Sequence, residues 1–235
     1  MAKETSKGTP KASSKNIAAK GIADRQVEQK VPGALWLGAA GLVIAALLVF
    51  SPAFDNGFVN WDDQAYVEEQ PMVLQKEYGR LLTTPVSLNY HPVTMVSLAI
   101  QAPDKGEKLT ATPFIRMNVA IHIINALLVL WLVWLMSGYR LGVALFTSFV
   151  FALHPLHIES VVWVSERKDV LYTFFFLLSC LSFWHFLSSE RRKWLFVALI
   201  CFIFSVLSKA MAVSLPVVFL LLLYIKEGNW QFLRN

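Results

Sequence analysis

Charge is scarce in this sequence. Asp, Glu, Lys and Arg make up 16% of its 235 residues while hydrophobic types make up 56%, and the long runs without any charge exclude an ordinary soluble domain and call for membrane spans. Cysteine is scarcer still. Cys180 and Cys201 both sit inside apolar runs, which excludes a disulfide framework and a paired-thiolate zinc site. A Gly-rich phosphate loop and a Gly-x-Ser-x-Gly elbow are also lacking, so neither soluble nucleotide chemistry nor serine-hydrolase chemistry has its motif. The nearest approach to a metal-ligand cluster is His154, His157 and Glu159, and Pro155 breaks its spacing. No metal and no cofactor is expected.

What charge there is has a pattern. Much of the net +5 comes from Lys3, Lys7, Lys11, Lys15, Lys20, Arg25 and Lys30, spread among Ala, Ser, Thr and Gly. Residues 1–32 are therefore expected to form a disordered basic cytoplasmic tail. The basic region is too long for a cleavable signal peptide. Topology and anionic lipid account for it, so nucleic acid is not an expected partner.

The apolar runs predict an all-α fold, a polytopic membrane helix bundle of about six transmembrane helices. The spans fall near residues 33–50, 117–136, 141–154, 170–187, 194–207 and 210–225, with a partly helical outer loop over residues 53–112 between the first two. Pro52 closes the first span, His154-Pro155 interrupts the third, and Ser208-Lys209 divides an apolar region too long for one span. Within the outer loop, Tyr78 to Leu82 and Pro92 to Ile100 have the composition of short surface helices. The basic tail, Arg140 and the Arg191-Arg192-Lys193 turn place both termini in the cytoplasm, residues 226–235 included, and the loop outside.

That topology makes the outer charges informative. Asp62 and Asp63 follow Trp61 just where the first span surfaces. Adjacent carboxylates there suit acid/base chemistry, although Trp also settles at membrane interfaces and Asp also caps helices. Arg116, Arg167, Lys168 and Lys209 stand near outer helix ends, against the usual charge bias. Either they form local salt bridges, with Glu166 and Asp169 as partners for Arg167 and Lys168, or they hold the phosphate of a lipid-linked substrate. Lys209 is alone between two apolar halves, where it snorkels, caps helix carbonyls or meets a phosphate. His91, beside Pro92, serves either substrate or structure. Together these groups suit transfer of a group from a phosphate-bearing lipid. A transporter or lipid flippase is the main competitor, but no inverted repeat and no matched pair of broken helices supports it. A non-catalytic membrane subunit of a larger assembly is a third possibility.

Four stretches carry a resemblance. They are Asn60-Trp61-Asp62-Asp63, Tyr90-His91-Pro92-Val93-Thr94, the long run from Phe151 through His154-Pro155-Leu156-His157-Ile158-Glu159 to Arg167-Lys168-Asp169-Val170-Leu171, and Ser208-Lys209-Ala210-Met211 through Pro216. From about Phe58 to Tyr224 the chain resembles the transmembrane and tetratricopeptide-repeat O-mannosyltransferases and their bacterial relatives, of the C-type glycosyltransferase membrane fold. It resembles an N-terminal half, since the family's further spans and repeat domain are not matched. The resemblance implies inverting transfer of a mannose-like sugar from a polyprenyl-phosphate carrier to Ser or Thr hydroxyls of an exported protein. Asp62, supported by Asp63, is then the base. Lys209, Arg167, Lys168 and Arg116 become candidates for the donor phosphate, and Trp61, Tyr90, His91, His154, His157 and Glu159 for substrate contacts. Membrane lipid, the polyprenyl-phosphate sugar and an acceptor protein are the implied partners, with a further polypeptide to supply missing spans. A bacterial inner membrane with the site on its periplasmic face is the implied location.

Overall fold

The computed structural model describes residues 31–228, and nearly all of the expected basic tail and most of the C-terminal end lie outside that range. Among the described residues the architecture is all-helical, with one isolated antiparallel bridge between Val86 and Asn89. The long helices are α1 (Gly33–Phe50), α5 (Thr112–Met136), α6 (Leu141–Leu153), α8 (Arg167–Ser189), α9 (Arg192–Ser208) and α10 (Leu215–Glu227). Between them lie α2 (Pro71–Leu74), α3 (Tyr78–Leu81), α4 (Pro92–Gln101) and α7 (His157–Val162).

Four segments are long and apolar enough to cross a membrane: Gly33–Asp55, Thr112–Met136, Val164–Ser189 and Ala210–Glu227. The protein is an integral membrane helix bundle. The 13-residue α6 and 17-residue α9 are shorter, about 20 and 26 Å at 1.5 Å per residue, against a hydrocarbon core of about 30 Å. They complete the bundle by packing, α6 against α1 and α5, and α9 along α8. The lipid-like character of the outer surface is plain on α1, where Trp36 and Leu37 are 64% and 76% exposed.

Several boundaries differ from those the apolar runs predict, for local reasons. The second long helix starts at Thr112, five residues early, because Pro113 sits in its first turn, where a missing N–H costs nothing. The fourth starts at Arg167, so Arg167, Lys168 and Asp169 form a first helical turn and not a loop. Lys209 is extended and is followed by a 3-10 turn, Ala210–Ser214, before α10. At Pro155 the chain does break, ending α6 at Leu153 and reopening as α7.

Chain direction puts the ends of α1, α6 and α9 and the starts of α5, α8 and α10 at one end of the bundle. The segment from Ser51 to Ala111 folds over that end. Its apolar residues, among them Tyr66, Val67, Val73, Leu81, Met95 and Leu98, join Phe50, Phe114, Ile115, Val119, Val161, Val164 and Val170 in one core. A second core gathers Leu132, Cys180, Trp184, Leu215 and Leu222 from α5, α8 and α10. Polar side chains satisfy backbone carbonyls where helices meet: Asn118 Nδ2 donates to Trp163 O at 2.9 Å, Asn125 Nδ2 to Val170 O at 2.8 Å and Thr94 Oγ1 to Ser208 O at 2.9 Å. In lipid such bonds hold helices in register, since no water replaces them.

Candidate active site

The start of α8 is the hub. Helix N-termini favour anions, and Glu166 and Asp169 occupy this one together with the cations Arg167 and Lys168. The carboxylates make a cationic first turn tolerable. Lys168 Nζ lies 2.9 Å from Glu166 Oε1 and 3.3 Å from Asp62 Oδ2. Lys209 arrives from the end of α9 and meets Asp169 directly, with Glu166 Oε2 at 3.6 Å. The result is a chain of alternating charge, Asp62–Lys168–Glu166–Lys209–Asp169. The flanking-acid explanation is therefore realised for Lys168, and Lys209 has two acidic partners that its isolated place in the sequence conceals.

Exposure separates the members. The side chain of Asp62 is 35% exposed, against 12% for Glu166 and 14% for Lys168, so Asp62 is the carboxylate that a solvent-borne hydroxyl reaches first. Asp63 beside it is fully buried. Its Oδ2 accepts from Val59 N at 2.9 Å, and its Oδ1 accepts from Ser165 N at 2.9 Å and from Ser165 Oγ. With its carboxylate committed to these donors, Asp63 clamps the outer segment onto the turn before α8 and fixes Asp62 in place.

Aromatic groups line the other side of Lys168. Its ammonium lies 5.0 Å from the Tyr66 ring centroid, and His91 stacks on Tyr66 with centroids 5.1 Å apart and planes 8° from parallel. Burial pushes the His91 pKa down to about 4, nearby Lys168 and Lys209 push the same way, and Asp62 opposes them. His91 is therefore a neutral ring near pH 7. Trp61 instead lines a groove of about 810 Å³ between the segment after α1 and α7, with Val59, Ile158, Glu159, Val162 and Trp163.

Comparison with known proteins gives a consistent picture. The chain is 28% identical to protein O-mannosyl-transferase TMTC4 of Homo sapiens over 160 residues, 59% of this chain and 22% of that protein. It is 27% identical to the Mus musculus protein of the same name over 184 residues, 68% of this chain and 25% of that one. It is 30% identical to Mus musculus protein O-mannosyl-transferase TMTC1 over 95 residues, 40% and 10%. The family resemblance holds. The chain spans about a quarter, or less, of the length of these curated relatives. No family model matches the chain, and no solved structure matches it.

The family-derived candidates divide into those that meet at the hub and those that do not. Asp62, Lys168, Lys209 and His91 meet there. Arg167 does not present itself to a ligand: it is fully buried, and its guanidinium donates to Asn118 Oδ1, to Ser97 Oγ at 2.9 Å, to Gln101 Oε1 at 2.6 Å and to Phe114 O at 2.9 Å. It ties α4 and α5 to the start of α8. Arg116 lies over the Phe54 ring at 5.5 Å, where no other site candidate joins it. Tyr90 donates from its hydroxyl to Leu82 O at 2.8 Å and closes its own loop. His154 Nδ1 accepts from Leu156 N at 3.2 Å, a local turn. His157 faces inward beside Asp169, and burial with neighbouring His154 lowers its pKa. Glu159 lines the groove instead. Among the described residues no three His, Cys, Asp or Glu side chains gather as ligands for a metal.

Tyr66, Ser165, Asn118 and Asn125 escape notice in the sequence. Nothing local marks Tyr66 or Ser165 as site residues. Only the amide in an apolar run is a signal, because Asn118 and Asn125 lie seven residues, about two turns, apart on one face of α5.

Proposed function

We propose that this chain carries the donor- and base-bearing part of a membrane glycosyltransferase that moves a mannose-like sugar from a polyprenyl-phosphate carrier to Ser or Thr hydroxyls of exported protein. The observation that supports this most directly is Asp62, a partly exposed carboxylate held against Lys168 at the rim of a site that also contains Lys209. Similarity to proteins named O-mannosyl-transferases supports the reaction class.

In the reaction, Asp62 takes the proton of the acceptor hydroxyl as its oxygen bonds to the anomeric carbon. The bond from that carbon to the phosphate oxygen breaks, and the electron pair leaves with the polyprenyl phosphate. Lys168 and Lys209 neutralise that departing charge, exchanging carboxylate partners for phosphate oxygens. One base with no carboxylate nucleophile gives inversion. The 810 Å³ groove is lined by Trp61, the residue before the base in the chain, and suits the acceptor segment. Arg140, Arg191, Arg192 and Lys193 mark the opposite end, which by the bias of basic loops is cytoplasmic, so the site faces outward.

The test is transfer from a mannosyl-phosphoryl polyprenol to a Ser/Thr-rich peptide, using this chain or a longer protein that contains it. Asp62→Asn is expected to cut turnover about 10²- to 10⁴-fold, the ordinary contribution of a general base, with melting unchanged. Undiminished transfer by Asp62→Asn would overturn the proposal.

A further inference from the structure

Behind the hub, enclosed by α5, α6, α7 and α8, is a second cavity of about 150 Å³. Part of the lining is aromatic: His122 and Phe151 stack with centroids 5.5 Å apart, His157 lies 4.9 Å from Phe151, and Tyr172 adds a further ring. The rest of the lining includes the polar side chains of Asn125, Ser160, Asp169 and Thr173. Asn125 is 1% exposed, and its Oδ1 has no hydrogen-bond partner among the described residues, a costly state for a buried acceptor.

Three features say what fits here. The volume equals about five waters, too small for a lipid chain and adequate for a small polyhydroxylated ring. Aromatic rings and polar groups in one small lining suit a pyranose, with its C–H faces and its edge of hydroxyls. Asp169 belongs to both places, since one oxygen holds Lys209 and the other accepts from Ser160 Oγ at 2.9 Å. In a glycosyl phosphate the anomeric carbon is one bond from the phosphate oxygen, so the sugar must lie immediately beside whatever holds the phosphate.

We infer that this cavity is the subsite for the hexose of the donor, with Asn125 Oδ1 and Thr173 Oγ1 as hydroxyl partners and Phe151 and His157 as its apolar wall. The inference rests on the phosphate role proposed for Lys209.

The experiment compares two probes, polyprenyl monophosphate and the same carrier bearing mannose, for binding to the purified chain in nanodiscs. The parent is expected to bind the mannosylated carrier about tenfold more tightly than the bare one, as one or two net hydrogen bonds provide. Thr173→Leu fills the cavity without touching an interhelix hydrogen bond. It should bind the mannosylated carrier no better than the bare one and leave bare-carrier affinity unchanged. Asn125→Leu should abolish the same difference, but it also releases Val170 O, so Thr173→Leu is the deciding variant. If the sugar-dependent difference survives in Thr173→Leu, or is absent from the parent, the hexose subsite is wrong while the phosphate role stands. If the parent binds neither carrier, the proposed function fails and the subsite fails with it.

Discussion

Replacing Arg167 with Met separates the two roles this residue can have. Met keeps the stem and removes every donor. Four acceptors then lose a partner: Asn118 Oδ1, Ser97 Oγ, Gln101 Oε1 and Phe114 O. Ser97 and Gln101 are partly exposed and recover water, while Phe114 and Asn118 are buried. Two buried acceptors left unsatisfied cost about 2–6 kcal/mol. Relief from burying a cation with no carboxylate beside it returns part of that, leaving a net loss of about 2–4 kcal/mol. For a chain of this size that is a fall in melting temperature of about 5–15 °C.

The assay is thermal unfolding in detergent, with limited proteolysis of the loop between α4 and α5 read alongside it, because α4 is what Arg167 fastens. Arg167→Lys should recover only part of the loss, since one ammonium cannot reach four acceptors arranged around a planar fork. Carrier binding measured well below the melting temperature should stay near that of the parent. The reasoning is refuted by the reverse result, a variant that melts with the parent and has lost carrier binding, for then Arg167 meets the ligand.

Other outcomes follow from the same geometry. Asp63→Asn offers an amide N–H to groups that are themselves donors, so it should lower stability by about 1–3 kcal/mol in chemical denaturation, with Ser165→Ala milder. Lys209→Met should weaken turnover roughly thirty- to a thousandfold through loss of about 2–4 kcal/mol of charge-assisted phosphate contact, and Lys209→Arg should restore part; normal transfer by Lys209→Met would remove Lys209 from the site. For His91, the folded pKa of about 4 lies below the unfolded value near 6.5, so between those values the unfolded chain binds more protons and stability falls as pH falls. Its contribution, about 3 kcal/mol by linkage, is fully present above pH ~6.5, and His91→Phe should flatten melting temperature against pH over that window. Single cysteines at Gln64 and at Ser189, with Cys180 and Cys201 replaced, should react with impermeant reagents from opposite sides of the membrane; labelling of both from one side would overturn this topology.

The bundle was legible because its signals are local. Apolar runs, Pro52, Pro155 and the basic turns each report on their own few residues, and those suffice for an all-helical membrane protein. The site was legible only as a set of residue types. Asp62 and Asp63 are neighbours of one type, yet one is open and the other buried, because the group that claims Asp63 is Ser165, 102 residues away. The same division separates Lys168 from Arg167: one helical step turns the first toward Asp62 and the second toward Asn118, Ser97 and Gln101. Both cations have partners that the sequence does not name, and the partners differ. A guanidinium whose planar fork can satisfy four neutral acceptors is suited to fastening three helices, whereas an ammonium shared between two carboxylates can exchange one of them for a phosphate. What separates Lys168, held by carboxylates, from Arg167, held by neutral acceptors, is therefore the direction of a side chain at a helix start, a property fixed by packing between distant segments and not by the residues on either side.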